Sequence, residues 1–355
     1  MTAPAIQPVV ASNEPREAGA RRTAKVAVLG ASGYAGQEFV RLALGHGGIE
    51  IVALCSREHA GRPAGELMPG IDPRVTPLPP VLDPAGLPSL LARAEFDTLV
   101  SSLPHGAWKV LAQEHPALAR AERIVDLSSD YRAGEAGYVY GLPEAFRGEI
   151  PGATRIANPG CYPTAATLAL LPLAAKLQGP VAVSALSGVS GAGRAPALRT
   201  SFVELEGGAA IYRAGAVHAH VPEMTRNLTR LAGHDVPVSF VPQLAPMARG
   251  ILLTAVAQLA KPMSPEAARD AYVEHYAAEP FVNVLDPGVW PETRHVRNSN
   301  RCDLSVTTLH DGGTLLATAA IDNLVKGAAG QALQNLNLML GWPEGWGLPV
   351  HGSPW

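Results

Sequence analysis

The chain has 355 residues, too many for one small core, so two domains are expected. Charged residues make up 17% and the formal net charge is -3, without a basic run or an acidic tail, which argues against nucleic acid or a membrane surface as partner and points to small metabolites. Three widely spaced cysteines, Cys55, Cys161 and Cys302, give neither a disulfide framework nor metal-type pairing, so the reading is a cytoplasmic, reducing setting with no metal.

Residues 1–23, a mixture of Ala, Pro and Glu with too short an apolar patch for a signal peptide, read as a mobile tail. Lys25 to Leu29 is a short apolar run. Gly30-Ala31-Ser32-Gly33-Tyr34-Ala35-Gly36 follows, and then a helical pattern through Gln37, Phe39, Val40, Leu42 and Leu44. Strand, glycine turn and helix in this order form a nucleotide-phosphate site: glycines let the backbone approach the pyrophosphate, and the helix N-terminus offers N–H donors. Gly30, Ser32, Gly33, Tyr34, Ala35 and Gly36 are therefore candidate cofactor contacts, although the spacing departs from strict G-x-G-x-x-G. A second strand is predicted at Ile49 to Leu54. It ends in Cys55-Ser56-Arg57, where an NAD site would carry an acid; the Ser56 hydroxyl and Arg57 guanidinium suit a 2′-phosphate and favour NADP(H), the alternative being a solvated Arg57.

Helical patterns at Leu87 to Arg93 and Ala107 to Gln113 alternate with strands at Thr98 to Ser101 and Arg123 to Leu127, which predicts a parallel, doubly wound α/β sheet. Leu103-Pro104-His105-Gly106 follows a strand at the carboxyl edge, so Pro104 is expected in the cofactor crevice. Asp126, Asp130 and Arg132 suit an ion-pair network holding the next loop.

Asn158-Pro159-Gly160-Cys161-Tyr162-Pro163-Thr164 then delivers a cysteine to the start of a long apolar run. Pro163 suits the first helical position, so Cys161 is expected at a helix N-terminus, where free N–H groups and the macrodipole would stabilise a thiolate. Beyond it, Val181 to Ala185 and Ile251 to Val256 are longer and more strand-like, which predicts an α+β half with a mixed sheet and helices on one face. In His218-Ala219-His220-Val221-Pro222-Glu223 an extended backbone would put both imidazoles on one side. A metal would need a third or fourth ligand that is not nearby, and helix capping is a further alternative; an acid/base partner for Cys161 is preferred. Cys302 lacks a helix-start context and reads as structural. A closing helix is predicted from Asn323 to Leu340, crossing back onto the first domain.

These motifs, together with Asp126 to Arg132, Ser187-Gly188-Val189-Ser190-Gly191-Ala192-Gly193-Arg194 and Ile321 to Ala332, resemble N-acetyl-gamma-glutamyl-phosphate reductase from about residue 25 to the end. The resemblance implies a Rossmann-type NADP domain, set at 24–160 and 323–355, around a catalytic and oligomerisation domain at 161–322. It also implies a homodimer or homotetramer and a place in arginine biosynthesis. By the same resemblance Cys161 is the nucleophile, His220 rather than His218 the proton carrier, and Glu223 its orienter. Asn158, Arg194 and His218 become candidate substrate contacts, and Ser187, Gly188 and Asn323 cofactor contacts, with helix capping the alternative for Asn323. Gln243 departs from the histidine common at its position. Rival readings are a reductase of aspartyl phosphate or of a carrier-linked aminoadipyl phosphate, and a non-catalytic NADP-binding redox sensor.

Overall fold

The structure, a computed structural model, describes residues 23–353 apart from Pro73; the expected tail lies outside the described residues except for Thr23. Two seven-stranded sheets organise them. The first contains β1 (Ala24–Leu29), β2 (Ile49–Cys55), β3 (Val81–Leu82), β4 (Thr98–Ser101), β5 (Arg123–Asp126), β6 (Val139–Tyr140) and β7 (Arg155–Ala157), in the order β3-β2-β1-β4-β5-β7-β6. All its pairings are parallel. The chain runs outward from β1 on one side and resumes at β4 on the other, so a crevice opens beyond the carboxyl ends of these two strands. The glycine turn lies at that point. The predicted β-and-α alternation holds because these strands are short, mostly apolar and mostly buried runs between connections that carry glycine and proline.

The second sheet contains β8 (Leu177–Ser187), β9 (Ala210–Ile211), β10 (Val238–Leu244), β11 (Ile251–Leu259), β12 (Val282–Val284), β13 (Cys302–Leu309) and β14 (Thr314–Ile321), in the order β12-β13-β14-β11-β8-β10-β9. It is mixed: β8 with β10 and β12 with β13 are parallel, the rest antiparallel. Alternation in β8 from Val181 onward and throughout β10 and β11 buries Val181, Val183, Ala185, Phe240, Leu253 and Ala255 and leaves the other face more open.

Six helices of eight or more residues occur among the described residues: α1 (Tyr34–Leu44), α2 (Ala107–Glu114), α3 (Cys161–Leu170), α4 (Val221–Ala232), α5 (Pro265–Tyr276) and α6 (Gly330–Met339). Helices α3, α4 and α5 contribute Leu168, Met224, Leu228 and Tyr272 to the core on the buried face of the second sheet. Helix α6 instead packs Ala332, Leu333 and Leu336 with Val26 and Val28 of β1 and Phe39 and Val40 of α1. The closing helix is thus shorter than predicted, because Val325–Ala329 forms a π-turn ahead of α6.

Candidate active site

The glycine turn is shaped by close approach. Gly30 has φ +72°, and a β-carbon on it would fall 2.7 Å from the Ser102 carbonyl oxygen at the end of β4. A β-carbon on Gly36 would lie just as close, at 2.7 Å, to the Ser102 hydroxyl. Gly33 caps α1 without a side chain, and only the Gly30 carbonyl lies near the space its β-carbon would fill, at 3.4 Å. The N–H groups of the first turn therefore face an open cradle of the kind a phosphate occupies. At the second strand's end the Ser56 hydroxyl meets that of Ser32 at 3.0 Å, while Arg57 is largely exposed and 3.9 Å from Glu114. Pro104 is exposed beside this edge, and His105 Nδ1 accepts from the Ser129 N–H at 3.0 Å.

Cys161 is the first residue of α3, with Gly160 as its cap. Pro163 falls at the third helical position rather than the first, still within the turn whose N–H groups have no intrahelical acceptor. His220 reaches this cap from the start of α4: a β-carbon on Gly160 would lie 2.6 Å from His220 Nε2 and 2.8 Å from an Arg132 nitrogen. The backbone N–H of His220 donates to His218 Nδ1 at 3.1 Å, and the two rings lie 5.0 Å apart. His218 also packs edge-on against Tyr162 and Phe240.

Glu223 has a different role from the expected one. It makes no hydrogen bond to His220; its carboxylate accepts from the Gly160 N–H at 2.9 Å, the Tyr140 hydroxyl at 2.7 Å and Arg132 at 2.9 Å. Arg132 in turn donates to the carbonyls of Asn158 and Leu127, both at 2.8 Å. Glu223 and Arg132 thus fix the cysteine loop. His220 Nδ1 is buried without a hydrogen-bond partner among the described residues.

The electrostatics also correct an expectation. Burial pushes the Cys161 thiol up to about 11, outweighing Arg132 and the Tyr162 N–H, which favour the thiolate. Burial, Arg132 and His218 together hold His220 well below the ordinary imidazole range. The resting pair is a thiol and a neutral imidazole, and the helix N-terminus does not by itself ionise the cysteine.

Three further assignments shift. Asn158 is fully buried, its amide donating to the Ala328 carbonyl at 3.1 Å and accepting from Asn335 at 3.0 Å, so it holds the loop and does not face a substrate. Arg194 donates to the Ser32 carbonyl at 2.9 Å, on the glycine turn and not at the cysteine. It lines a cleft of about 480 Å³ with Tyr34, Ser190, Thr200, Arg249 and Leu324. Asn323 caps no helix: it accepts from the Gly250 N–H at 2.8 Å and donates to Ser190 at 2.9 Å, whereas Asp322 caps the π-turn through the N–H groups of Leu324 and Val325. Ser187 is buried and donates to the Gly188 carbonyl at 3.0 Å; Gly188 lies so close to the next loop that a β-carbon would meet the Arg249 nitrogen at 2.7 Å.

Of the loop charges, Asp130 caps α2 through the N–H groups of Gly106 and Lys109, and Asp126 binds Ser128. Gln243 bonds to Ser184 on the open face of the second sheet, away from the cysteine. Tyr140, Tyr212 and Arg213 are site residues that sequence reading passes over. The Tyr212 hydroxyl meets that of Tyr162 at 2.7 Å. Arg213, at φ +44°, adds positive charge that lowers the His218 pKa beyond the effect of burial.

The comparisons with known proteins agree with this layout. The family model described as semialdehyde dehydrogenase, NAD binding domain, matches residues 25–153, and semialdehyde dehydrogenase, dimerisation domain, matches 161–323. Among solved structures, the aspartate semialdehyde dehydrogenase II of Vibrio cholerae complexed with ASA has a TM-score of 0.69 at 15% identity, over 90% of this chain and 99% of that one. The Candida albicans aspartate semialdehyde dehydrogenase with NADP has a TM-score of 0.69 at 16% identity, over 89% and 98%. These two show a shared fold. The N-acetyl-gamma-glutamyl-phosphate reductase of Thermus thermophilus is 45% identical over 356 residues, spanning 92% of this chain and 99% of its own. That of Desulforudis audaxviator is 42% identical over 349 residues, spanning 92% and 99%. With full-length relatives at this identity, and an NAD(P)-binding and a dimerisation domain matched in order, the chain belongs to the N-acetyl-gamma-glutamyl-phosphate reductase family.

Proposed function

We propose that the protein reduces N-acetyl-L-glutamyl 5-phosphate to N-acetyl-L-glutamate 5-semialdehyde and phosphate with NADPH, in cytoplasmic arginine biosynthesis. The observation that carries this reading is the cysteine at the α3 N-terminus with His220 Nε2 packed on the residue before it. The neutral His220 takes the Cys161 proton as sulfur bonds to the acyl carbon, the bond from that carbon to the phosphate oxygen breaks, and phosphate leaves a thioester. NADPH, which the glycine turn from Gly30 to Gly36 would hold, would supply the hydride that reduces the thioester carbon. His220 then returns the proton as the carbon–sulfur bond breaks and the aldehyde carbonyl forms. N–H groups of the first α3 turn are the donors for the oxyanion. Arg213 and His218 supply positive charge and a polar wall for the anionic substrate.

For the cofactor, the glycine turn from Gly30 to Gly36 would hold the pyrophosphate, and Ser56 with Arg57 the 2′-phosphate. Ser187, Gly188 and Asn323 would frame the nicotinamide side. The cofactor domain comprises 24–160 and 323–355, the catalytic and oligomerisation domain 161–322, and the assembly is a homodimer or homotetramer.

The test follows NADP⁺ reduction with N-acetyl-glutamate 5-semialdehyde and phosphate, alongside aspartate semialdehyde, for wild type, Cys161→Ser and Arg57→Ala. Turnover of the acetylated aldehyde alone, abolished by Cys161→Ser, is expected. Arg57→Ala should raise the KM for NADP⁺ about tenfold or more while leaving NAD⁺ use unchanged, in line with loss of a charged hydrogen bond. Turnover of aspartate semialdehyde instead moves the protein to that substrate, and tight NADPH binding without any turnover makes it a sensor.

A further inference from the structure

Behind the cysteine, opposite the histidines in sequence, lies the π-turn Val325–Ala329. Its N–H groups bond five residues back, Gly327 to the Asp322 carbonyl at 2.9 Å and Ala329 to that of Leu324 at 2.8 Å. Gly327 is buried directly on the nucleophile: a β-carbon there would lie 2.7 Å from the Cys161 β-carbon and 3.2 Å from its α-carbon. Next to it, the fully buried Lys326 amine donates to Glu144 at 2.6 Å and to Gln334 at 2.8 Å. Gln334 also donates to Glu144, at 3.0 Å.

Burying a charge pair costs more than filling the same space with apolar side chains, and a π-turn gives up regular helix geometry. Val325 and Ala329 of the turn join Ala332, Leu333 and Leu336 in the first core, whereas the Lys326–Glu144 pair adds no apolar surface to it. The extra residue of the turn rotates the succeeding helix by about 100° relative to a continuous α-helix. Gly327, the one residue of the turn without a side chain, is the one that meets Cys161.

The geometry points to this turn as the support that sets the orientation of the nucleophile, with Gly327 as the contact and the Lys326–Glu144 pair as the anchor. All three are positioning residues, and the inference rests on Cys161 being the nucleophile.

Gly327→Ala is expected to lower kcat about 100-fold, the scale on which misplacement by an ångström acts. KM values and the NADPH Kd should stay within about threefold, because uniform binding is untouched. Alkylation of Cys161 by iodoacetamide, followed by mass, should slow in parallel. Unchanged kcat and alkylation overturn the inference. Should that variant fail to fold, the double variant Glu144→Gln, Lys326→Met removes both charges without stranding either. It is expected to keep a cooperative thermal transition while losing about tenfold in kcat and changing the alkylation rate of Cys161; unchanged rates overturn the inference. Alkylation does not depend on which acyl phosphate is the substrate. Absence of turnover in the wild type therefore refutes the proposed reaction, and the turn is then judged on alkylation alone.

Discussion

At Cys161 the helix terminus and a nearby arginine pull toward the thiolate, and burial pulls toward the thiol. Burial prevails and pushes the thiol up to about 11. Reaction with iodoacetamide in the free protein should accordingly rise about tenfold per unit between pH 7 and pH 10, with no plateau near the ordinary thiol value of about 8.5. A plateau at neutral pH would show a preformed thiolate. Cys55 and Cys302 are buried, with Cys55 pushed up to about 12, and should stay silent. The cysteine loop is legible in the sequence because glycine and proline fix its geometry locally. Glu223 is not, since its partners Tyr140 and Arg132 lie 83 and 91 residues away and no spacing along the chain announces them. Asn158 and Arg194 mislead for the same reason: an amide or a guanidinium beside glycine looks available until the fold supplies its acceptor.

Among the elements, the junction between α1 and the closing segment carries a pH-sensitive contact. His46 follows α1, and its Nδ1 accepts from the Gly48 N–H at 3.1 Å, which leaves Nε2 to donate to Asn337 at 3.0 Å. Its ring lies 5.1 Å from that of Trp342 and 4.1 Å from that of Trp346. Burial holds this imidazole below its ordinary pKa. Between the lowered native value and the unfolded value of about 6.5 the unfolded chain binds more protons, so the contribution is complete above about pH 6.5 and fades as pH falls. The thermal midpoint should therefore drop between pH 7 and pH 5, and His46→Gln should flatten that drop; an equal drop in the variant would place the sensitivity elsewhere. Strands are readable where apolar runs end in turn residues, β4 to the residue. The π-turn is invisible, because its apolar pattern matches that of an ordinary helix and only the backbone bonding differs.

Across the whole molecule, the first sheet is completed by the last helix. The prediction of a helix crossing back holds in the shared core of α6, α1 and β1. Removing residues 323–355 strips Leu333 and Leu336 from that core, each worth about 1.5–3 kcal/mol of burial. The fragment 24–160 alone should show no cooperative urea transition, and adding a peptide of residues 323–355 should restore one. A cooperative transition in the fragment alone would mean that the first sheet is self-sufficient.

This arrangement bears on the order in which the polypeptide matures on the ribosome. Residues 24–160 emerge first but must wait for the final stretch, which follows 162 residues later by the numbering. At about 5–20 residues per second that delay is on the order of 10–30 s. During it the first sheet stands open, and the second sheet is also incomplete, because β14, which lies between β13 and β11, ends only at Ile321. Both sheets are thus completed together near the end of synthesis, and the early β-strands, which wait longest, are the segment most in need of a chaperone.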